Sequence, residues 1–338
     1  MKRLAATLAL ALIPVWAFAH HSIRAFYDDQ NISEIEGTIT NVRWVNPHIR
    51  FDIEATVENG DTQTWRVEAG AINFLERDGI SRDDLAVGEQ IKVTGYGSRF
   101  GRPEMVASYI TRSSGEDIVL WPGLFGMGTR AALSESASEV AASNEQPVSA
   151  EGMFRVWSVG EGSMGRSANE APLPLRPEAL AARQDYDPLT DDTALRCIQQ
   201  GMPGIIDNPF PMEIVGSRDD VVIRFEEFDV VRRIHMDVDA APENTPATPH
   251  GYSIGRWDGD ELVVVTTHID WPYLDDVGTP MSPALEVIER YSLNEDEDRL
   301  NVVITFTDPA TFTEPAVREG TYWDWVPGEV IKPFECQI

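Results

Sequence analysis

Four ionisable residues in the second half of the chain fall where strands are predicted to end or to face an interior. They are His235, His268, Asp270 and Glu289. A histidine with carboxylates at one mouth of a barrel can move a proton on a bound carbonyl or ether compound. We therefore predict these four as the candidate catalytic residues of a lyase or isomerase that uses no organic cofactor.

Glu289 lies on a strand predicted over Leu285–Ser292. Alternation places Glu289 on one face with Val287 and Tyr291, and Arg290 on the opposite face. A carboxylate in an apolar row needs a partner, because an unpaired buried charge is strongly destabilising. The same pattern also fits a structural arginine–carboxylate pair that fixes strand register, and a loop histidine beside aromatic residues that serves packing alone.

Aromatic residues accompany these ionisable groups. The chain contains nine Trp and 13 Phe, most of which are expected in the core. We predict that four aromatic residues and one arginine line a site for a hydrophobic or aromatic small molecule. They are Trp257, Trp271, Tyr273, Tyr252 and Arg290.

Histidines near the start of the chain predict a second kind of site. If the chain is cut after Ala19, it begins with His20 and His21. An N-terminal histidine offers its α-amine and a ring nitrogen, and a third nitrogen from His48 completes a set that suits Cu(II). Copper bound by these three histidines is one hypothesis. The alternative is that the first two histidines merely follow a peptidase site.

The first nineteen residues have the form of a secretory signal peptide. Lys2 and Arg3 precede an apolar stretch over residues 4–15, and Ala17-Phe18-Ala19 follows as a cleavage site. We therefore predict a periplasmic or secreted protein. In an oxidising compartment Cys197 and Cys336 are expected to form a disulfide, the alternative being two unpaired buried thiols.

Charge excludes several classes of partner. The chain has 27 Lys and Arg against 56 Asp and Glu, a net charge of −29, and removal of residues 1–19 leaves 25 against 56, or −31. Such a surface repels a phosphate backbone, so nucleic acid is not expected as a partner. After the signal peptide no apolar stretch is long enough to span a membrane. The expected partner is a small molecule, and the oligomeric state stays open.

The elements that must position these residues are almost all strands. We predict an all-β chain with two domains, an OB-like barrel of five strands and one helix and then a lipocalin-like antiparallel β-barrel or curved sheet. Turns such as Asp258-Gly259 join the strands of the second, the last of which is predicted over Val330–Phe334. The predicted segments are a signal peptide (1–19), the OB-like barrel (20–118), a linker with irregular arms (119–175) and the lipocalin-like barrel (176–338).

Several motifs resemble uncharacterised families of exported bacterial proteins. His20-His21-Ser22 and Trp44-Val45-Asn46-Pro47-His48 resemble a family of small β-barrel proteins. Cys197-Ile198-Gln199-Gln200-Gly201-Met202-Pro203 and Gly255-Arg256-Trp257-Asp258-Gly259-Asp260 resemble a second, β-rich family. Neither resemblance implies a reaction. The chain has Tyr252 where members of the second family often carry histidine, and it also lacks a second such histidine near Met281.

Overall fold

The computed structural model describes residues 26–56, 60–121, 152–159 and 172–337. In these ranges the chain is all-β, with two sheets and a few short helices, and one sheet is a closed barrel of nine strands. The all-β prediction is therefore confirmed. No helix of the described ranges is long and apolar enough to cross a membrane.

The first sheet contains all five predicted strands, the predicted helix and one further strand. Its elements are β1 (Tyr27–Arg43), β2 (Arg50–Thr56), β3 (Thr62–Glu68), α1 (Ile72–Arg77), β4 (Gln90–Ser98), β5 (Glu104–Arg112) and β6 (Asp117–Val119). The strand order is β3-β2-β1-β4-β5-β6, and a parallel pairing also joins β3 to β5. The long strand β1 pairs with both β2 and β4, and its register shifts between Ile39 and Asn41. Such a bulge bends a strand.

The second sheet closes on itself. Its strands are β7 (Val156–Val159), β8 (Met212–Ser217), β9 (Asp220–Phe225), β10 (Val231–His235), β11 (Tyr252–Asp258), β12 (Glu261–Thr267), β13 (Glu286–Leu293), β14 (Arg299–Thr307) and β15 (Ala316–Asp324). The order around the barrel is β10-β11-β12-β13-β14-β15-β7-β8-β9. Helices α2 (Pro177–Ala182) and α3 (Pro188–Asp191) precede β8.

The two ends of this barrel differ. The turns at residues 218–219, 259–260 and 294–298 each join two paired strands at one end, which we name the hairpin end. The long connections at residues 268–285 and 308–315 lie at the other end, which we name the loop end. Met202, Ile205 and Ile206 pack into the core cluster of the barrel.

Three features of the barrel differ from the sequence prediction. Strand β7 lies in the segment predicted as an irregular arm, yet it pairs with β15 and β8. Strands β10 and β11 are parallel, because the long connection over residues 236–251 crosses from one end of the barrel to the other, so that both strands run in the same direction. The strand predicted over Val330–Phe334 is wrong. This stretch has no ladder partner and instead runs between the barrel and the first sheet.

A buried polar network joins the two sheets. The guanidinium of Arg77, on α1, donates to both carboxylate oxygens of Glu226, at 2.6 and 2.5 Å. Asn73 donates to the same carboxylate at 2.9 Å, and Asn46 donates to Phe334 O at 2.6 Å. Glu226 is fully buried. Because a buried carboxylate needs close donors, these bonds fix α1 against the barrel.

The predicted disulfide is present and fastens the C-terminal segment beside this network. Cys197 and Cys336 are bonded, with their Cα atoms 5.7 Å apart and a sequence separation of 139. Cys336 also forms an isolated bridge with Asn46 of the first sheet. The disulfide therefore holds in place the segment that both sheets contact.

Replacing both cysteines by serine should lower the free energy of unfolding by about 3–5 kcal/mol, since a long cross-linked loop restricts the unfolded chain. Denaturant titration of the oxidised protein and of the Cys197→Ser/Cys336→Ser variant measures this difference. Wild-type protein unfolded in reducing buffer is the control and should match the variant. A loss below about 1 kcal/mol would contradict the expectation.

Candidate functional site

The interior of the barrel contains a buried ion pair between β10 and β13. Arg232 donates to the two carboxylate oxygens of Glu289 at 3.0 and 3.2 Å. The side chains of both residues are at most 1% exposed. The sequence prediction that Glu289 faces inward together with Val287 and Tyr291 is confirmed, since all three are fully buried.

Three hydroxyl groups also form hydrogen bonds with this ion pair. Arg232 also donates to Ser253 Oγ and Thr266 Oγ1, each at 3.1 Å, and Tyr291 donates to Glu289 at 3.0 Å. Burial alone would lower the pKa of Arg232, but Glu289 and Tyr291 together outweigh burial and raise this pKa. Burial and the same carboxylate raise the pKa of Tyr291 well above its ordinary value. Glu289 is therefore held as the counter-ion of Arg232.

His268 and Asp270 lie at the loop end, away from Glu289. Glu289 pairs with Val264 of β12, and His268 follows four residues later, about 13 Å farther along the strand direction. His268 Nδ1 forms a hydrogen bond with Thr267 Oγ1 at 2.9 Å, and the Asp270 side chain is exposed. The described contacts do not unite these two residues with Glu289 in one cluster.

His235 and Tyr252 lie on the outer face of the barrel. Along β10 the buried residues are Arg232 and Ile234, so His235 points outward. Its ring stacks on that of Tyr252, with centroids 4.2 Å apart and planes within 7°. This stack is separate from the interior pair.

A histidine that sequence reasoning missed, His250, lies at the loop end within electrostatic reach of Arg232. His250 Nε2 donates to Gln200 O at 3.0 Å. Burial lowers the pKa of His250, and the charge of Arg232 lowers it further. No motif marks His250 in the sequence, because its surroundings come from the folding of residues 200–202 over the loop end. That fold also lets Trp271 pack on Gly201, where a Cβ atom would lie 2.5 Å from the indole.

Tyr273 also lies at the loop end, in contact with an aromatic partner from an earlier segment. Its ring meets that of Tyr186 edge-on, with centroids 5.0 Å apart. Burial raises the pKa of Tyr186, and Asp192 and other nearby carboxylates raise it further. The pair lies among acidic residues.

Trp257 lies at the hairpin end with partners that the sequence did not predict. The guanidinium of Arg218 lies 4.0 Å above the Trp257 ring, and the indole Nε1 donates to Arg218 O at 2.8 Å. Phe154 contacts the same indole, with centroids 6.3 Å apart. Phe154 and Trp257 are both partly exposed.

Arg155 extends this aromatic group. Its guanidinium lies 4.9 Å from the Trp157 ring and 4.7 Å from the Trp325 ring. Trp157 is fully buried and Trp325 partly exposed. The alternation of residue types from Met153 to Trp157 is visible in the sequence, although the sequence prediction assigns this segment to an irregular arm. We define the hairpin-end cluster as Phe154, Arg155, Trp157, Arg218, Trp257 and Trp325.

The predicted ligand-binding residues therefore do not form one site. Trp257 lies at the hairpin end, Trp271 and Tyr273 lie at the loop end, and Tyr252 lies on the outer face. Arg290 also faces outward, as predicted, where it pairs with Asp258 at 3.2 Å and with Glu261. The sequence indicated these side chains but could not assign them to separate ends of one barrel.

His48 is held by a carboxylate in the first sheet. Its Nδ1 lies 2.5 Å from Glu68 Oε1, and Tyr27 donates to the other carboxylate oxygen at 3.2 Å. The ring also contacts Trp121, with centroids 4.8 Å apart. His20 and His21 lie outside the described residues. Within the described part of the chain, no three His, Cys, Asp or Glu residues are arranged to hold a metal ion.

Comparison with known protein families gives a match in the first part of the chain. A family model described as a family of unknown function (DUF6152) matches residues 9–106. This agrees with the resemblance to an uncharacterised family in that region, whereas the resemblance of the second half stays a prediction. No curated protein matches the chain.

Glu289→Gln should lower the free energy of unfolding by about 3–5 kcal/mol, because it leaves Arg232 buried without a counter-charge. The double variant Arg232→Met/Glu289→Gln should lose less than the sum of the two single losses. Denaturant unfolding of Glu289→Gln, Arg232→Met and the double variant gives the three free-energy losses. Arg290→Ala removes a surface ion pair from the same strand and should cost at most about 1 kcal/mol. Strict additivity of the two interior changes would contradict the coupling.

Proposed function

We propose that the protein binds a hydrophobic or aromatic small molecule at the hairpin end of its C-terminal barrel. The observation that carries the proposal is the hairpin-end cluster, in which the aromatic residues Phe154, Trp257 and Trp325 are each partly exposed. Aromatic faces grouped beside fixed cations are typical of sites for planar ligands. Trp257 already stacks with the guanidinium of Arg218, so its face suits a flat group.

The centre of the barrel supports binding less well than its end. Leu262, Val264, Tyr291 and Ile304 face inward and are fully buried. Zero exposure means that no water-sized gap adjoins these side chains, so the described interior is packed as in an ordinary core. We therefore place the ligand at the hairpin end rather than in a central cavity.

Two finer fold assignments accompany this proposal. The pairing of β1 with β2 and β4, the parallel pairing of β3 with β5 and the position of α1 between β3 and β4 support an OB-like barrel. The closed nine-strand order supports a lipocalin-like barrel, with the parallel β10–β11 pair as a departure from the antiparallel pattern. We further propose that the protein is exported. The Cys197–Cys336 disulfide supports this, because such bonds persist in oxidising compartments.

Trp257→Ala should weaken binding of a neutral aromatic probe, 2-naphthamide, by about tenfold or more, since one stacking face is lost. Calorimetric titration of the purified protein measures the affinity. Trp65→Ala, which removes a partly buried tryptophan from the first sheet, is the matched control and should bind like the wild type. A wild-type protein that binds neither this amide nor the corresponding carboxylate, 2-naphthoate, or equal affinity in the Trp257 variant, would refute the proposal.

A second candidate function is copper binding by the mature N-terminus. The observation that favours it is the contact between His48 Nδ1 and Glu68, which directs Nε2 of the same ring to serve as a ligand. A carboxylate behind a histidine is a common outer-shell arrangement at metal sites. In this proposal His20 supplies its α-amine and ring, and His48 supplies the third nitrogen, which suits Cu(II).

The mature protein, with its first residue confirmed by mass spectrometry, should bind Cu(II) with a dissociation constant below about 1 μM. His20→Ala and His48→Ala should each weaken binding by at least about tenfold, because each removes a nitrogen ligand. His235→Ala, which changes a histidine on the outer face of the barrel, is the control. Unchanged affinity in the His20 variant would rule out this site.

A further inference from the structure

We propose that the ligand of the hairpin-end cluster is an aromatic carboxylate and that Arg155 receives its carboxylate group. The inference rests on the proposed function and specifies its ligand class. The guanidinium of Arg155 lies 4.7 Å from the ring of Trp325, which together with Phe154 and Trp257 forms the partly exposed aromatic faces of the hairpin-end cluster. An aromatic acid would lay its ring against those faces and direct its anion at Arg155.

Arg155 differs from the other buried arginines in how its charge is balanced. Three such arginines each meet a carboxylate oxygen at 3.0 Å or less; the pairs are Arg77–Glu226, Arg232–Glu289 and Arg318–Asp207. The side chain of Arg155 is only 7% exposed, yet within the described ranges its ion-pair partner is Glu297, at 3.8 Å. Glu297 is itself 61% exposed.

This difference leaves the charge of Arg155 incompletely compensated. Its Nε donates to Gly152 O at 2.6 Å, and two indole rings cover its faces. Burial lowers the pKa of Arg155 despite the opposing effect of Glu297, whereas nearby carboxylates raise the pKa of Arg77 and Arg232. A buried guanidinium of this kind favours an added anion, because charge-assisted bonds to a carboxylate are strong when both groups leave water.

The weak pairing of Arg155 contrasts with the acidic composition of the chain. The chain has 56 acidic residues against 27 basic ones, so carboxylates that can pair with an arginine are plentiful. Glu297 lies in the turn between β13 and β14 and approaches Nη2 of Arg155. This side of the guanidinium therefore faces the hairpin end. A ligand carboxylate could take the place of Glu297 there without disturbing the contacts of Arg155 with Trp157 and Trp325.

The test compares 2-naphthoate with its neutral counterpart 2-naphthamide by calorimetric titration of the full protein at pH 7. The wild type should bind the carboxylate about tenfold or more tightly than the amide. Arg155→Met should bring this ratio to about one, whereas Arg290→Met, which changes an outward-facing arginine of the same barrel, should leave it unchanged. Glu297→Gln should raise affinity for the carboxylate, because it removes the competing anion.

The outcomes separate the two proposals. If both probes bind with equal affinity to the wild type, the carboxylate inference is wrong while binding at the hairpin end stands. If neither probe binds, the proposed function itself fails. If the preference for the carboxylate persists in Arg155→Met, another cation receives the anion and the assignment to Arg155 is refuted. The Glu297 variant keeps the test decisive if the Arg155 variant does not fold, since unchanged carboxylate affinity would then overturn the inference.

Discussion

The structure depends on the pairing of charges that the fold removes from water. Inside the barrel, Arg232 reaches from β10 to Glu289 on β13, and its Nη2 also donates to hydroxyl groups of β11 and β12. Four neighbouring strands are thereby tied at one level. An isolated buried charge would be strongly destabilising, so neither member of the pair can change alone. The same constraint governs the interface, where Arg77 and Glu226 join α1 to the barrel.

The two ends of the barrel differ in how their polar and aromatic groups are packed. The loop end is closed by residues 201–211 and 268–285, and its polar groups, such as the carboxylate of Asp275, are bound to neighbouring donors. The hairpin end keeps aromatic surface partly exposed and holds the incompletely balanced cation Arg155. In the proposed function a ligand would contact these aromatic residues and Arg155, whereas the fully buried side chains of the barrel interior leave no space for it.

Much of the local structure was predictable from the sequence because it follows from short-range patterns. Alternation located most strands within a few residues, and the inward position of Glu289 followed from period two alone. Strand β7 was not predictable in the same way. It is four residues long, and its pairing with β15 and β8 comes from segments more than fifty residues distant in the chain. Arg155 and Trp157 were consequently missed.

By itself the sequence determined the all-β class, the disulfide partners, the face of Glu289 and the acidic character of the surface. Each of these depends on composition or on neighbours along one strand. Only the tertiary structure decided which residues share a site. It paired Glu289 with Arg232, turned His235 outward against Tyr252, and separated Trp257 from Trp271 by the length of the barrel. The physical reason is that barrel closure and strand register set contacts between distant segments, and no local pattern encodes that register.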